Sequence, residues 1–280
     1  MLKYVQKREG RMKMFIKNFI ALLFLVFSLG ASTFDIQKMR ESFHNKVVKT
    51  SLDNRNEKFR LDESYWDEAQ NYLWGQVEHF TSSQFITLVD LSKQVLILVL
   101  WDNEKKNFHH IGFDFVSTGD MSRESEVTNG DSHYLKTPIG LFDIKSGWRS
   151  DGKPLDDNVT LPYGKKDTFV FYFGEQDSIR YNTFDSDGGK ITDPSKWQLI
   201  TDKLQFAIHA HESATSLGEP NSHGCIRMST ELNLFLDNNS VFFKHLYNEN
   251  KEWTHPYKKP PKEPKNHELA GEYMLIIDEL

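Results

Sequence analysis

The chain has 280 residues, of which 38% are hydrophobic, 26% charged and 13% aromatic. That composition provides for a buried core and excludes a disordered polyelectrolyte, a collagen-like repeat and a multi-span membrane protein. A single cysteine, Cys225, excludes a disulfide framework, and a net charge of −6 without a basic stripe excludes an ordinary nucleic-acid binder.

Residues 1–31 differ sharply from the rest. Lys3, Lys7, Arg8, Arg11, Lys13 and Lys17 form a basic stretch with Glu9 as the one acid, followed by an apolar run from Phe19 to Ala31 broken by Ser28 and Gly30. Small residues cluster at the exit, from Gly30 to Thr33. This order predicts a secretory signal peptide. The run is shorter than the ~20 residues that span a bilayer, and an uncleaved anchor extended by Phe15 and Ile16 is the alternative. Its loss leaves an acidic exported chain. In an oxidising compartment a lone cysteine has no structural bond to make, so its presence asks for a chemical reason.

Residues 32–83 read as a helical segment that packs on the main domain or contacts a partner. Ile36, Met39, Phe43 and Val47, then Tyr65, Trp66, Ala69, Leu73 and Val77, recur at helical spacing, with polar Asp53–Lys58 between them. From Phe85 the pattern changes to strands. Phe85–Asp90 and Val95–Trp101 form a predicted hairpin around Leu91–Gln94, extended by Phe108–Ser117. Thr137-Pro138-Ile139-Gly140 turns into a strand over Leu141–Ile144. Thr168–Phe173 and Gln205–His209 are further short strands, with turn-rich loops between them. After Cys225 the pattern is helical: Ser229 or Thr230 can cap, and Leu232, Phe235, Leu236, Phe242 and Leu246 suit a core-facing stripe. Lys258–Lys265 reads as an extended connector and Tyr273–Ile277 as a last strand. A mostly-β catalytic domain over residues 84–280, preceded by helices, is the expected architecture, with the part after about residue 250 the least defined.

The chemistry concentrates in Ala207-Ile208-His209-Ala210-His211 and Ser222-His223-Gly224-Cys225-Ile226-Arg227-Met228. A thiol becomes a nucleophile when an imidazolium or a helix N-terminus favours its thiolate, and Cys225 precedes a predicted helix and follows several histidines. Gly224 would leave room for a substrate carbonyl to approach the backbone amides of an oxyanion hole, and His209, ending a strand, suits a general base. Taken singly, a cysteine is more often an inert small hydrophobe and a histidine a satisfied polar group. The glycine-broken, polar Ser-His-Gly-Cys run has no such packing reason. A second arrangement fits the spacing: His209 and His211 share a strand face and, with Cys225 or His223, could make a three-ligand zinc site. His109-His110 reads as surface or loop.

Together these segments resemble the active-site signature of the L,D-transpeptidase (YkuD-type) family. Leu88–Leu96, Ser117-Thr118-Gly119 and Thr137–Gly140 are similar to the family's upstream blocks and occur in its order, so the resemblance spans about residues 84–230. It implies an L,D-transpeptidase-like β-sandwich with a helix after the nucleophile. It also implies Cys225 as nucleophile, His209 as the activating histidine, His223 and Ser222 as residues shaping the pocket, Gly224 and Cys225 as oxyanion donors and Arg227 as a contact for substrate carboxylates. Ala210, where many members have Gly or Ser, and the additional His211 are departures. The implied activity is periplasmic or wall-associated. Peptidoglycan stem peptides are cleaved after the third residue through a thioester, and the acyl group passes to a stem-peptide amine or to an envelope protein. With water as acceptor the same site would be an L,D-carboxypeptidase. No cofactor, metal or nucleic acid is called for. A zinc-dependent wall hydrolase and a non-catalytic wall-binding protein are the rivals from other classes.

Overall fold

The computed structural model describes residues 34–49, 61–123, 133–154, 161–211, 217–247, 250, 252, 254, 259–260 and 264–279. The expected signal peptide and the Asp53–Lys58 separator lie outside these residues. No described helix is long and apolar enough to cross a membrane.

Nine strands form one mixed sheet. In chain order they are β1 (Gln84–Asp90), β2 (Val95–Asp102), β3 (Asn107–Ser117), β4 (Gly140–Asp143), β5 (Ser146–Arg149), β6 (Phe169–Asn182), β7 (Gln198–Ala210), β8 (Ile226–Met228) and β9 (Tyr273–Ile277). The spatial order is β4-β9-β1-β2-β3-β8-β7-β6-β5. β9 runs parallel to β1 and β8 parallel to β7; the other pairs are antiparallel. Phe142 of β4 meets Phe173 of β6 with ring centroids 5.2 Å apart, so the sheet curls until one end approaches the other. All of β1 and nearly all of β2 are buried, which explains their unbroken apolar sequences. β3 joins the two halves: it pairs with β2 up to Phe115 and then with β8 through Val116 and Ser117.

The helices close the core. α1 (Ile36–Phe43) continues into a π-helical turn, His44–Val48, and buries Met39, Phe43 and Val47. The Phe43 ring packs edge-on against Phe235 at 5.0 Å, and a Cβ added to Gly112 would lie 2.3 Å from it. α2 (Glu63–Trp74) is capped by Asp62, which accepts from the Tyr65 amide, and buries Tyr65, Ala69 and Leu73 against β1 and β2. The Tyr65 hydroxyl donates to buried Asp90 at 2.8 Å. Met39–Lys49 and α2 therefore pack with the strands. α3 (Thr230–Asn238) is capped by Ser229, and Leu232, Phe235, Leu236, Phe242 and Leu246 are all buried as expected.

The mostly-β fold, the first hairpin and the last strand agree with the sequence. Other expectations need correction. The stretch between the two short strands keeps its turns at Asp185–Gly189 and Pro194–Lys196, but its flanks lengthen the strands into a ribbon, with β6 and β7 paired from Phe171–Ile208 out to Asn182–Gln198. Beyond a bulge at Gly174 the buried positions of β6 are the polar Ser178 and Arg180, and β7 has none up to Gln205, so the ribbon has no apolar period to read. Residues 226–228 are a strand, not the start of a helix, and Ser146–Arg149 is a strand as well. His109 and His110 lie within β3, half-buried, with the His110 ring 5.1 Å from Trp66.

Candidate active site

The parallel pairing of β7 with β8 organises the candidate residues. Ile208 lies beside Ile226, His209 beside Arg227 and Ala210 beside Met228. Alternate residues share a face, so Ile208 and Ile226 point to one side of the sheet while His209, itself buried, and Arg227 point to the other. One residue before β8, Cys225 has the same strand parity as Arg227 and so shares the face of His209. The Ala207 amide is hydrogen-bonded to the thiol, and Sγ lies 3.9 Å from the Gln205 carbonyl. Two segments far apart in sequence thus bring a thiol and an imidazole to one face, about 8 Å apart at their Cα atoms as strand spacings dictate.

The electrostatics favour neutral groups at rest. Burial, reinforced by the nearby Arg227 and His211, depresses the His209 pKa to about 4, opposed by its bond to the Ala210 carbonyl. That carbonyl, 2.9 Å from Nδ1, can only accept, so Nδ1 carries the proton and Nε2 is the free base. Burial pushes the half-buried Cys225 thiol above the ordinary thiol range, against the opposing influence of the Ala207 amide and Arg227. The expectation of a thiolate favoured by a following helix is thus overturned, because β8 intervenes before α3 begins at Thr230.

The loop before Cys225 is fastened from several sides. Ser222 Oγ accepts from the Gly224 amide at 3.0 Å and donates to the Cys225 carbonyl at 2.5 Å. Thr137 Oγ1 donates to the Gly224 carbonyl at 2.6 Å while accepting from the Gly119 amide at 2.9 Å. Gln94 bonds both the hydroxyl and the amide of Thr118, whose carbonyl accepts from Ser222. A Cβ on Gly119 would fall 1.9 Å from the Leu135 carbonyl and 3.0 Å from Gly224 Cα. The three upstream blocks therefore converge on this one loop.

Two expectations change in detail. Gly224, at φ +135°, faces the core: a Cβ there would sit 2.7 Å from the Phe206 ring, so packing rather than substrate access requires glycine. Its amide is turned onto Ser222 and is not an open oxyanion donor. His223 stacks on Tyr134 at 4.2 Å, with the Arg123 guanidinium 4.7 Å from the other ring. Arg227 donates to the Asn221 carbonyl at 2.8 Å. Among the described residues no group of three His, Cys, Asp or Glu side chains converges as a metal site, so the zinc arrangement lacks its ligand set there.

Three aromatic residues escaped the sequence reading. The Tyr163 ring meets His209 edge-to-face at 5.2 Å, and Tyr163 and Tyr172 both lie within the electrostatic reach of Cys225. Trp148 joins them, 5.8 Å from Tyr163 and 6.2 Å from Tyr172. Their only signal was an aromatic residue next to a turn or a strand, which many core positions share.

The family model described as the L,D-transpeptidase catalytic domain (YkuD) matches residues 84–238, more than half of the chain. No curated protein matches. Solved structures of similar fold include an L,D-transpeptidase from Mycobacterium smegmatis (11% identity, TM-score 0.30, covering 70% of this chain and 59% of that one). The helical cell shape determining protein Pgp2 from Campylobacter jejuni (14%, TM-score 0.34, 71% and 49%) and Bd1075 from Bdellovibrio bacteriovorus (15%, TM-score 0.33, 71% and 49%) are others. The chain thus spans about half to three-fifths of the length of the structures it resembles. With strands, glycine-broken loop and matched span in agreement, the chain belongs to the L,D-transpeptidase catalytic domain family.

Proposed function

We propose that this domain is an exported cysteine acyltransferase acting on peptidoglycan stem peptides, with Cys225 as nucleophile and His209 as base. The observation that supports the reading is the β7–β8 register, whose parity gives the thiol and the base-form imidazole the same face of the sheet. Export rests on the basic and apolar leader of residues 1–31.

With both groups neutral at rest, the thiol proton passes to His209 Nε2 as Sγ attacks the carbonyl of the third stem residue. The tetrahedral intermediate collapses, the terminal D-alanine departs with that proton on its amine, and a thioester remains. An amine acceptor then attacks the thioester, loses a proton to Nε2 and regenerates the thiol. A stem-peptide amine yields a 3–3 cross-link, and a lysine of an envelope protein yields anchoring. Arg227, on the same face, is the candidate contact for a substrate carboxylate, and Ser222 and His223 hold the loop that presents the thiol.

The test is to incubate the protein lacking residues 1–31 with defined tetrapeptide muropeptides and read the products by mass spectrometry. Cross-linked dimers that vanish in Cys225→Ala are the expected result. Tripeptides alone would move the assignment to an L,D-carboxypeptidase. Turnover retained by Cys225→Ala, or lost to a chelator but not to alkylation, would reject the thiol route. Binding without any mass change would mark a wall-binding protein.

A further inference from the structure

The face that holds His209 continues past it. Phe171 pairs with Ile208 and Trp148 with Val170, so His209, Val170 and Trp148 stand in one row across β7, β6 and β5. Tyr172, paired with Ala207 and Ser146, has the same parity. Val170 is buried, and the Tyr163 ring bridges the row, 5.2 Å from His209 and 5.8 Å from Trp148. The loop carrying Tyr163 is seated on β7, where a Cβ on Gly164 would come within 2.6 Å of the Ala210 methyl. Trp148 ends the row on an edge strand and stays 42% exposed. It is nonetheless held: a Cβ on the preceding Gly147 would fall 2.3 Å from the Val170 carbonyl, and the following Arg149 reaches Asp237 at 2.6 Å and 3.0 Å. A single exposed tryptophan is ordinary. One fixed in line with the candidate base, with tyrosine rings at 5.8 Å and 6.2 Å, is a prepared aromatic platform.

We propose that Trp148 is the platform on which a sugar ring of the glycan strand stacks when the stem peptide attached to that sugar is the acyl donor. This rests on the cysteine acyl-transfer reading. The apolar C–H face of a pyranose buries well against an indole, while its hydroxyls bond polar groups at the rim, here the Tyr172 phenol and the Ser146 hydroxyl on the same face. The reach of the substrate selects this occupant. His209 takes the thiol proton, so the attacked carbonyl of the third residue lies against its imidazole. Two strand spacings of about 4.8 Å then carry the row to Trp148, about 10 Å away. Three extended residues at about 3.3–3.6 Å each cover the same distance from that carbonyl back to the amino end of the stem, where a lactyl group joins it to the sugar. No covalent bond is made or broken at Trp148, whose part is to bind.

The test measures the initial rate of Cys225 acylation by intact-protein mass spectrometry, at limiting donor and without an amine acceptor. One donor is a free tetrapeptide and the other is the same tetrapeptide carrying its disaccharide. Wild type should be acylated at least about fivefold faster by the sugar-bearing donor. Trp148→Ala should slow that donor until the ratio is close to one, with the melting temperature unchanged, and Trp148→Tyr, which keeps a ring, should keep most of the preference. No preference in wild type, a preference that survives Trp148→Ala, or an equal fall on both donors would each overturn the proposal. A second measurement needs no turnover: saturation-transfer NMR of the peptide-free disaccharide on Cys225→Ala protein, whose signal should be lost when Trp148→Ala is added. Acylation without such a signal would overturn the sugar site alone. A Trp148-dependent signal on a protein that neither donor acylates would overturn the acyl-transfer reading and keep the sugar site.

Discussion

His209 and Arg227 are lateral neighbours on parallel strands, pointing to the same side of the sheet. A fixed cation beside an imidazole opposes its protonation, and Arg227 follows burial among the influences holding His209 at about 4. Arg227→Gln, which can still donate to the Asn221 carbonyl, should therefore move the acid limb of the kcat/KM profile to higher pH, by under about one unit, and raise KM for a carboxylate-bearing substrate. Profiles for both proteins across about pH 4–8 decide it. A limb that stays in place would remove the guanidinium from the base's environment.

The neutral thiol gives a second expectation. Burial raises the Cys225 pKa and His209 is uncharged at neutral pH, so no thiolate–imidazolium pair stands ready. Alkylation by iodoacetamide should be slow at pH 7 and still climbing beyond the ordinary thiol range of about 8.5. A profile already flat below pH 7 would mean a preformed ion pair. The contrast matters for mechanism, because a neutral pair ties proton transfer to the arrival of the carbonyl.

What could be read beforehand follows the physics of each segment. Tyr273–Ile277 is a β-rich apolar run next to Gly271, and it is the strand it resembled. The stripe of Leu232, Phe235 and Leu236 on α3 is equally legible because burial imposes a period, whereas Phe242 and Leu246 are buried past the helix end, in turns. β8 is not legible, since three residues carry no period, nor is the β6–β7 ribbon, since Glu175, Asp177, Thr201 and Lys203 all meet water. Cys225 and His209 stood out by residue type. Tyr163 did not: only the seating of Gly164 on Ala210 brings its loop to the imidazole, a contact between segments distant in sequence. The role of Gly224 is hidden for a related reason. A glycine beside a nucleophile reads as access, and only the strand parity reveals that it faces Phe206.

The contact of Phe43 with Gly112 tests whether the N-terminal helices belong to the catalytic domain energetically. Phe43 is 1% exposed, and a methyl at Gly112 would overlap its ring at 2.3 Å. Phe43→Ala should cost about 3–5 kcal/mol by leaving a cavity, and Gly112→Ala about 1–3 kcal/mol by overpacking. The pair in one chain should cost clearly less than the two losses added, because the space vacated by one receives the other. Urea denaturation of the four proteins measures this. Additive losses would mean that the helix shifts away rather than packing as a fixed part of the core.

The depressed His209 pKa also has a consequence for stability. An unfolded chain would bind a proton at this histidine near pH 6.5, whereas the folded protein, with the ring 4% exposed, resists until about pH 4. The stability contributed by the neutral form is complete above pH 6.5 and is lost progressively as the pH falls towards 4, by about 3 kcal/mol in all. His209→Gln cannot titrate, so this part of the acid destabilisation should be missing from it, although it should be inactive at every pH. Unfolding free energies of both proteins from about pH 7 down to pH 4 isolate the effect as the change in their difference. A constant difference would mean that the imidazole is solvated or charged in the folded state, and the neutral base required for proton transfer from Cys225 would have to be sought elsewhere.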